Sequence, residues 1–337
     1  MYSPRKIIFW SLLLLLTLVG AAWAIAHYAG GYARFLELAR SISTGQWIVL
    51  GIATSCFYLL DYARLYTLFV LLGIRIPLGL GMRLTCVTYF VSTLTPTAEL
   101  NIPAMIFMLR RYGVPAAETA AVAVVKTFYM TLWVGVFGVG TLLWQDQVRL
   151  PPLVADHVVA LTAPALTLLL FFFCLALFPQ PVLRWTAGRL QATPDGWGRQ
   201  LLIGVDRGVR AIARVGRSTQ RAHFLSHAAC IAFVLVYVFI GAALCEFVGV
   251  PWSAAGALTV FSNSLLVSYL APVPGSIGVT EVLTNYLIDP AMTERGMVVS
   301  TLLRTLCSYI VVLPGAVLLL NAVRAAGWDR LREQWKP

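Results

Sequence analysis

Six stretches of the chain are apolar for long enough to cross a bilayer as helices, at roughly residues 7–29, 47–72, 117–144, 157–178, 224–248 and 296–321. A span needs about 20 mainly apolar residues, and in lipid every backbone N–H and C=O must find its partner inside the segment. The whole chain is 59% hydrophobic and 12% charged, with mean hydropathy +0.81. These features predict an all-α polytopic membrane protein. No segment is polar enough for a separate soluble domain, so residues 1–337 read as one membrane domain.

Two further apolar regions, 80–111 and 254–289, are each interrupted near the middle. The first breaks at T-P-T-A-E, Thr95 to Glu99; the second at P-V-P-G-S-I-G, Pro272 to Gly278, with Glu281 following. Their pieces are short for separate spans, so each reads as a re-entrant helical hairpin.

Orientation follows from the basic residues, which gather on the cytoplasmic side. With the N-terminus inside, Arg5, Lys6, Arg75, Arg83, Arg110, Arg111, the arginines from Arg184 to Arg221, Arg324, Arg330, Arg332 and Lys336 are cytoplasmic. Arg34, Arg40, Arg149 and Arg295 fall outside; Arg64, Lys126 and Arg304 fall within spans. Both termini are then cytoplasmic. Ala22-Trp23-Ala24 resembles a signal-peptidase site, but the apolar run continues to Ala29, which favours an uncleaved first helix.

The two broken regions sit in matching surroundings. A span ending at Gly73, a broken region, V-P-A-A-E and a span carrying Lys126 are followed, 175 to 178 residues later, by the same order. There Gly249, the second broken region, D-P-A-M-T-E and Arg304 take their places. Three spans separate equivalent helices, so the second copy is inverted. The organisation expected is a first helix and loop (1–46), repeat 1 (47–144), a linking helix with an Arg-rich segment (145–223), repeat 2 (224–322) and a cytoplasmic tail (323–337). Broken helices meeting from opposite sides suit transporters that alternate access around a central site.

A helix starting near Gly278 presents unpaired N–H groups and a positive dipole end, an anion site in principle, with glycines permitting close approach. This makes Pro274, Gly275, Ser276 and Gly278 candidates for binding a lipid phosphate, with Thr95, Pro96 and Thr97 a weaker counterpart. Charges inside spans are costly and point to function. Lys126 and Arg304 occupy related places and complete the phosphate-binding set. Glu99 and Glu281 have two readings, proton coupling or ion pairing with those cations. Asp61 and Arg64, three apart on one helix, read as a local ion pair. The tyrosine stripe Tyr58, Tyr62 and Tyr66 reads as packing.

Residues 199–221 form an amphipathic pattern with Leu201, Val205, Val209 and Ile212 on one face. Arg207, Arg210, Arg214, Arg217 and Arg221 lie opposite, which suits an interfacial helix near lipid phosphates. Nucleic acid is a poor partner, since no aromatics interleave. The six cysteines lie in apolar segments without a C-x-x-C pair and read as buried hydrophobes. His223 and His227 have helical spacing but no acidic neighbour in sequence, so no metal and no cofactor are expected.

With P-G-S-I-G-V-T-E at Pro274 to Glu281, the earlier T-P-T-A-E and a basic residue in the span after each, the chain resembles the flippase-like transmembrane region of lysylphosphatidylglycerol synthases. The resemblance covers most of the chain. It implies a bacterial inner-membrane protein that moves or presents lipids through broken re-entrant helices. Three positions depart from the family pattern. Ser276 replaces the second glycine of P-G-G-x-G, the first hairpin lacks its glycine, and Lys126 stands where arginine is usual. The aminoacyl-transferase domain of some relatives has no counterpart after the last span, so lysine transfer is not expected. The function expected is transport of a phosphate-bearing lipid, an anionic phospholipid or polyprenyl phosphate. The alternatives are a membrane enzyme on lipid-linked substrates and a non-transporting accessory of envelope synthesis.

Overall fold

A computed structural model describes residues 32–95, 100–144, 177–194, 196–218, 221–270, 276–288 and 294–326, with residues 167, 170, 171, 174 and 175. The expected first span at 7–29, most of that at 157–178, and the tail from 327 lie outside the described residues, as do Pro96, Thr97, Glu99, Pro274 and Gly275.

Every regular element among the described residues is helical. In chain order these are α1 (Tyr32–Ser41), α2 (Thr44–Leu71), α3 (Leu78–Leu94), α4 (Asn101–Arg110), α5 (Ala116–Trp144) and α6 (Gln180–Ala192). Then come α7 (Trp197–Gly216), α8 (Arg221–Val248), α9 (Ala254–Leu270), α10 (Val279–Ile288), α11 (Glu294–Cys307) and α12 (Val312–Ala326). Four stretches are long and apolar enough to cross a membrane: Thr44–Leu71, Ala116–Gly138, Arg221–Val248 and Glu294–Ala325. They coincide with four of the six expected spans.

Local sequence explains the boundaries. Ser43 and Gln46 form a reciprocal capping box at the start of α2, each side chain bonding the other's backbone N–H. α2 ends in a Schellman turn, with Gly73 at φ 77° and the Ile74 N–H returning to the Phe69 carbonyl at 2.9 Å. α8 ends the same way, with Gly249 at φ 73° and the Val250 N–H bonded to the Cys245 carbonyl at 2.8 Å. Pro77 and Pro251 follow these two turns.

The two halves match in length. α2, α3 and α4 have 28, 17 and 10 residues; α8, α9 and α10 have 28, 17 and 10. They also match in packing. Within the halves α2 meets α3 and α5, and α8 meets α9 and α11. Between them α3 packs on α12, and α9 packs on α5. The helices α2 and α8 pack on one another at the centre, where Phe57 stacks on Phe233 with ring centroids 4.2 Å apart.

Two glycines carry the reciprocal contacts. Gly138 of α5 faces Asn263 of α9, and Gly315 of α12 faces Cys86 of α3. Gly138 and Gly315 are 177 residues apart, as are Cys86 and Asn263. Small residues let helix backbones approach without a hydrophobic driving force between them.

One expectation is corrected. The final span was expected unbroken, but it divides into α11, a 3₁₀ turn at Tyr309–Val311, and α12. Pro314 supplies the reason. It lacks the N–H that would bond the Ile310 carbonyl, and its ring crowds that turn. Its counterpart α5 has no proline and runs continuously over 29 residues.

Candidate functional site

Two charged centres are built on the helices that pack around α2 and α8. The first is built on Asp61 of α2. Its Oδ1 accepts from Arg64 Nη2, one turn along, and its Oδ2 from Lys126 Nζ of α5 at 2.9 Å. The Thr85 hydroxyl of α3 reaches the same Oδ2 at 3.4 Å. Asp61 and Arg64 are each 1% exposed, so three helices converge on one buried carboxylate. The Arg64 guanidinium lies over the Phe233 ring, 3.8 Å from its centroid. The local Asp61–Arg64 pair was legible as an i, i+3 spacing. That Lys126 shares the carboxylate was not, because the two lie far apart in the chain.

The second centre is built on Glu281 of α10. Gly278 takes φ 82° and starts the helix, with the Val282 N–H bonded to its carbonyl at 3.0 Å. Glu281 Oε2 accepts from the Gly278 N–H at 2.8 Å, the reciprocal half of a capping box. Its Oε1 accepts from the Tyr309 hydroxyl at 2.7 Å. The chain's own carboxyl group thus caps the first turn of α10. Tyr309 lies in the turn that Pro314 imposes, so the break in the last helix is what brings the hydroxyl to Glu281. The Arg304 guanidinium sits 5.8 Å from the Tyr309 ring centroid.

Tyr58 links the centres. It lies one turn before Asp61 and donates to the Leu306 carbonyl of α11 at 2.8 Å, two residues beyond Arg304. Tyr62 and Tyr66 do pack, with ring centroids 5.6 Å apart, and Tyr62 covers Gly81 of α3.

Thr95, the described residue of the first break, bonds back to the Val91 carbonyl at 3.0 Å. In the second break Ser276 lies in the left-handed region, φ 56°, and its hydroxyl donates to the Ser268 carbonyl of α9. That backbone favours glycine, since an L side chain there costs about 1–2 kcal/mol. Ser276→Gly is expected to change stability by less than about 1 kcal/mol, lost hydroxyl and relieved backbone offsetting. Ser276→Val keeps the strain, loses the bond and is expected to cost roughly 2 kcal/mol or more. Thermal melting of the two purified variants decides it, and equal melting would remove the strain argument.

The described arginines Arg207, Arg210, Arg214, Arg217 and Arg221 are all exposed, while Val209, Ala211, Ile212 and Val215 are buried as α7 packs on α5. The apolar face expected against lipid is therefore largely covered by protein, though Val205 stays 37% exposed. Arg210 bonds both oxygens of Asp206, at 2.8 and 3.2 Å, and holds that carboxyl below the usual carboxylate range. The histidines serve the α5–α8 seam. His223 Nδ1 lies 3.1 Å from the Tyr129 hydroxyl, and Trp133 donates to His227 Nδ1 at 3.0 Å. All six cysteines are free thiols, but only Cys230, Cys245 and Cys307 are buried as expected; Cys86 is half-buried, and Cys56 and Cys174 lie exposed on helix surfaces.

Compared with known families, residues 8–315 match the model described as the lysylphosphatidylglycerol synthase TM region. The chain belongs to this family. The match spans both halves and both charged centres, and it ends at Gly315, the glycine that seats α12 on α3. No curated protein matches the chain. As a member of this family it is a multi-pass helical membrane protein related to lipid handling.

Proposed function

We propose that this family member moves a phosphate-bearing lipid across the bacterial inner membrane. The broken pairs α3–α4 and α9–α10 are re-entrant hairpins, and the two halves are inverted repeats that rock about the α2–α8 contact. The observation that carries this reading is the reciprocal packing, with each half's last helix seating the other half's hairpin through an equivalent glycine. A set of contacts that maps onto itself under exchange of halves can also exchange its asymmetry between them. The gap in α11–α12, absent from α5, is such an asymmetry. Lys126, Arg304 and the hairpin breaks supply the cations and backbone donors for a phosphate, and the exposed arginines of α7 lie near inner-leaflet headgroups.

The test is sidedness. Single cysteines replacing Thr97 and Ser276, in a background lacking the native thiols, are labelled with an impermeant maleimide in oriented vesicles. Inverted hairpins require that the two positions label from opposite faces. Labelling from one face sinks the inverted-repeat mechanism.

A further inference from the structure

The seam between α5, which ends the first half, and α8, which begins the second, holds two histidines that the transport reading leaves unused. The helices lie in register: Tyr129 and Trp133 each meet a histidine 94 positions further on. Tyr129 also stacks on His227, ring centroids 4.1 Å apart, and the two imidazoles are 4.8 Å from one another.

These bonds limit the charge each ring can carry. An indole N–H donates and never accepts, so the 3.0 Å bond from Trp133 requires a lone pair on His227 Nδ1 and puts that ring's proton on Nε2. A proton added to His227 goes to Nδ1, where it faces the indole N–H. His223 is different. Its partner, the Tyr129 hydroxyl, can donate or accept, and the Val215 backbone of α7 is bonded to it as well. The closed seam therefore tolerates a charge on His223 and not on His227, where a second charge would also lie against the first.

Other ionisable groups on the packed elements are engaged elsewhere or exposed. Lys126 of α5 is bonded to Asp61 of α2, which also holds Arg64. Tyr269 of α9 and the buried Cys230 of α8 lie by Arg64, and Arg304 of α11 lies by Tyr237, further along α8. Arg214 and Arg217 of α7 and Arg221 of α8 are exposed, as are Arg110 of α4 and Glu37 and Arg40 of α1. His223 is the neighbour whose charge bears on His227.

The equivalent seam lacks this chemistry. At the offset that pairs Gly138 with Gly315, the counterparts of Tyr129, Trp133, His223 and His227 are Leu306, Ile310, Gln46 and Leu50. None of the four titrates, and the α2–α11 contact is held by the Tyr58 hydroxyl on the Leu306 carbonyl. Acid therefore acts on one seam and leaves the other.

We propose that the α5–α8 seam is an acid-sensitive latch, closed while His227 is neutral and released when His227 takes a proton. The latch stands on the seam itself. That its release biases the rocking of the two halves rests on the transport reading.

The test uses the purified full chain in maltoside detergent, its tryptophans labelled with nitrogen-15, taken from about pH 8 to about pH 5, the range in which histidine changes charge. The Trp133 indole resonance, identified by its loss in Trp133→Phe, should move with pH in the wild type. It should stay still in His227→Gln, whose uncharged amide oxygen accepts the same bond at every pH. A resonance that does not move in the wild type, or that moves equally in the variant, overturns the proposal. Release is read at Cys230, a buried free thiol one turn beyond His227. Its modification by a methanethiosulfonate reagent is followed by mass spectrometry, and the ratio of wild-type to His227→Gln rates cancels the ionisation of the thiol. That ratio should be near one at the alkaline end and at least about fivefold at the acid end. A ratio within about twofold throughout overturns the latch even where the resonance titrates. Trp133→Phe removes the donor and serves as the reference should His227→Gln not fold. Neither readout requires transport, so failure of the latch and failure of the flippase reading are separate results.

Discussion

Gly315→Ala is expected to force α3 and α12 apart and cost on the order of 3 kcal/mol, against under about 1 kcal/mol for the equivalent change Gly138→Ala. An added methyl at Gly315 would fall inside the contact distance of the Cys86 carbonyl and lie 2.8 Å from Phe90 Cβ. A backbone carbonyl within a helix cannot step aside, so whole helices must separate. At Gly138 the nearest atom is the Asn263 side-chain oxygen at 3.2 Å, which a small rotation relieves. Cys230, Cys245 and Cys307 are buried free thiols, so unfolding can be followed with a thiol-reactive fluorophore during heating. Gly315→Ala should lower the midpoint by roughly 10 °C or leave little folded protein, and Gly138→Ala should stay near wild type. Equal midpoints for the two variants would mean that the α3–α12 approach is not as close as described.

Asp61→Asn is expected to be the most damaging single change to the polar interior, costing about 3–5 kcal/mol. It leaves Arg64 and Lys126 without the carboxylate both use, and Arg64 cannot reach water. Lys126→Met should cost much less, since a balanced pair remains. The double variant Asp61→Asn, Arg64→Met removes the stranded guanidinium and should recover part of the loss. Melting midpoints of the three proteins test this order. Asp61→Asn melting with the wild type would show that the carboxylate is not needed to neutralise those cations.

Several features were legible along the chain. Three of the six apolar runs became single helices of spanning length and a fourth a span divided at Tyr309–Val311, and the two interruptions fell where proline, glycine and polar residues cluster. The order of landmarks anticipated two sets of helices, and those sets have equal lengths. The capping role of Glu281 was also open to view, since Gly278 and Glu281 have the N-cap to N3 spacing. The break in the last span had its signal too, in Pro314 within an apolar run.

Other features had no signal of that kind. Nothing local to Lys126 identifies Asp61 as its partner, 65 positions away. Nothing local to Gly315 marks it as the tighter of two equivalent glycines. The reach of Tyr309 to Glu281 depends on how α12 leaves its kink.

Hydropathy, charge bias and backbone-breaking residues act over a few turns, because bilayer thickness and helical hydrogen bonding act on one segment at a time. They were enough to establish a helical membrane protein with paired interruptions. Which carboxylate neutralises which cation, and which backbones touch, depended on the packing of helices distant in sequence. Inside the bundle there is little water to screen a charge or fill a gap. Each buried group therefore takes whatever partner the packing places beside it, and that placement is a property of the assembled helices alone.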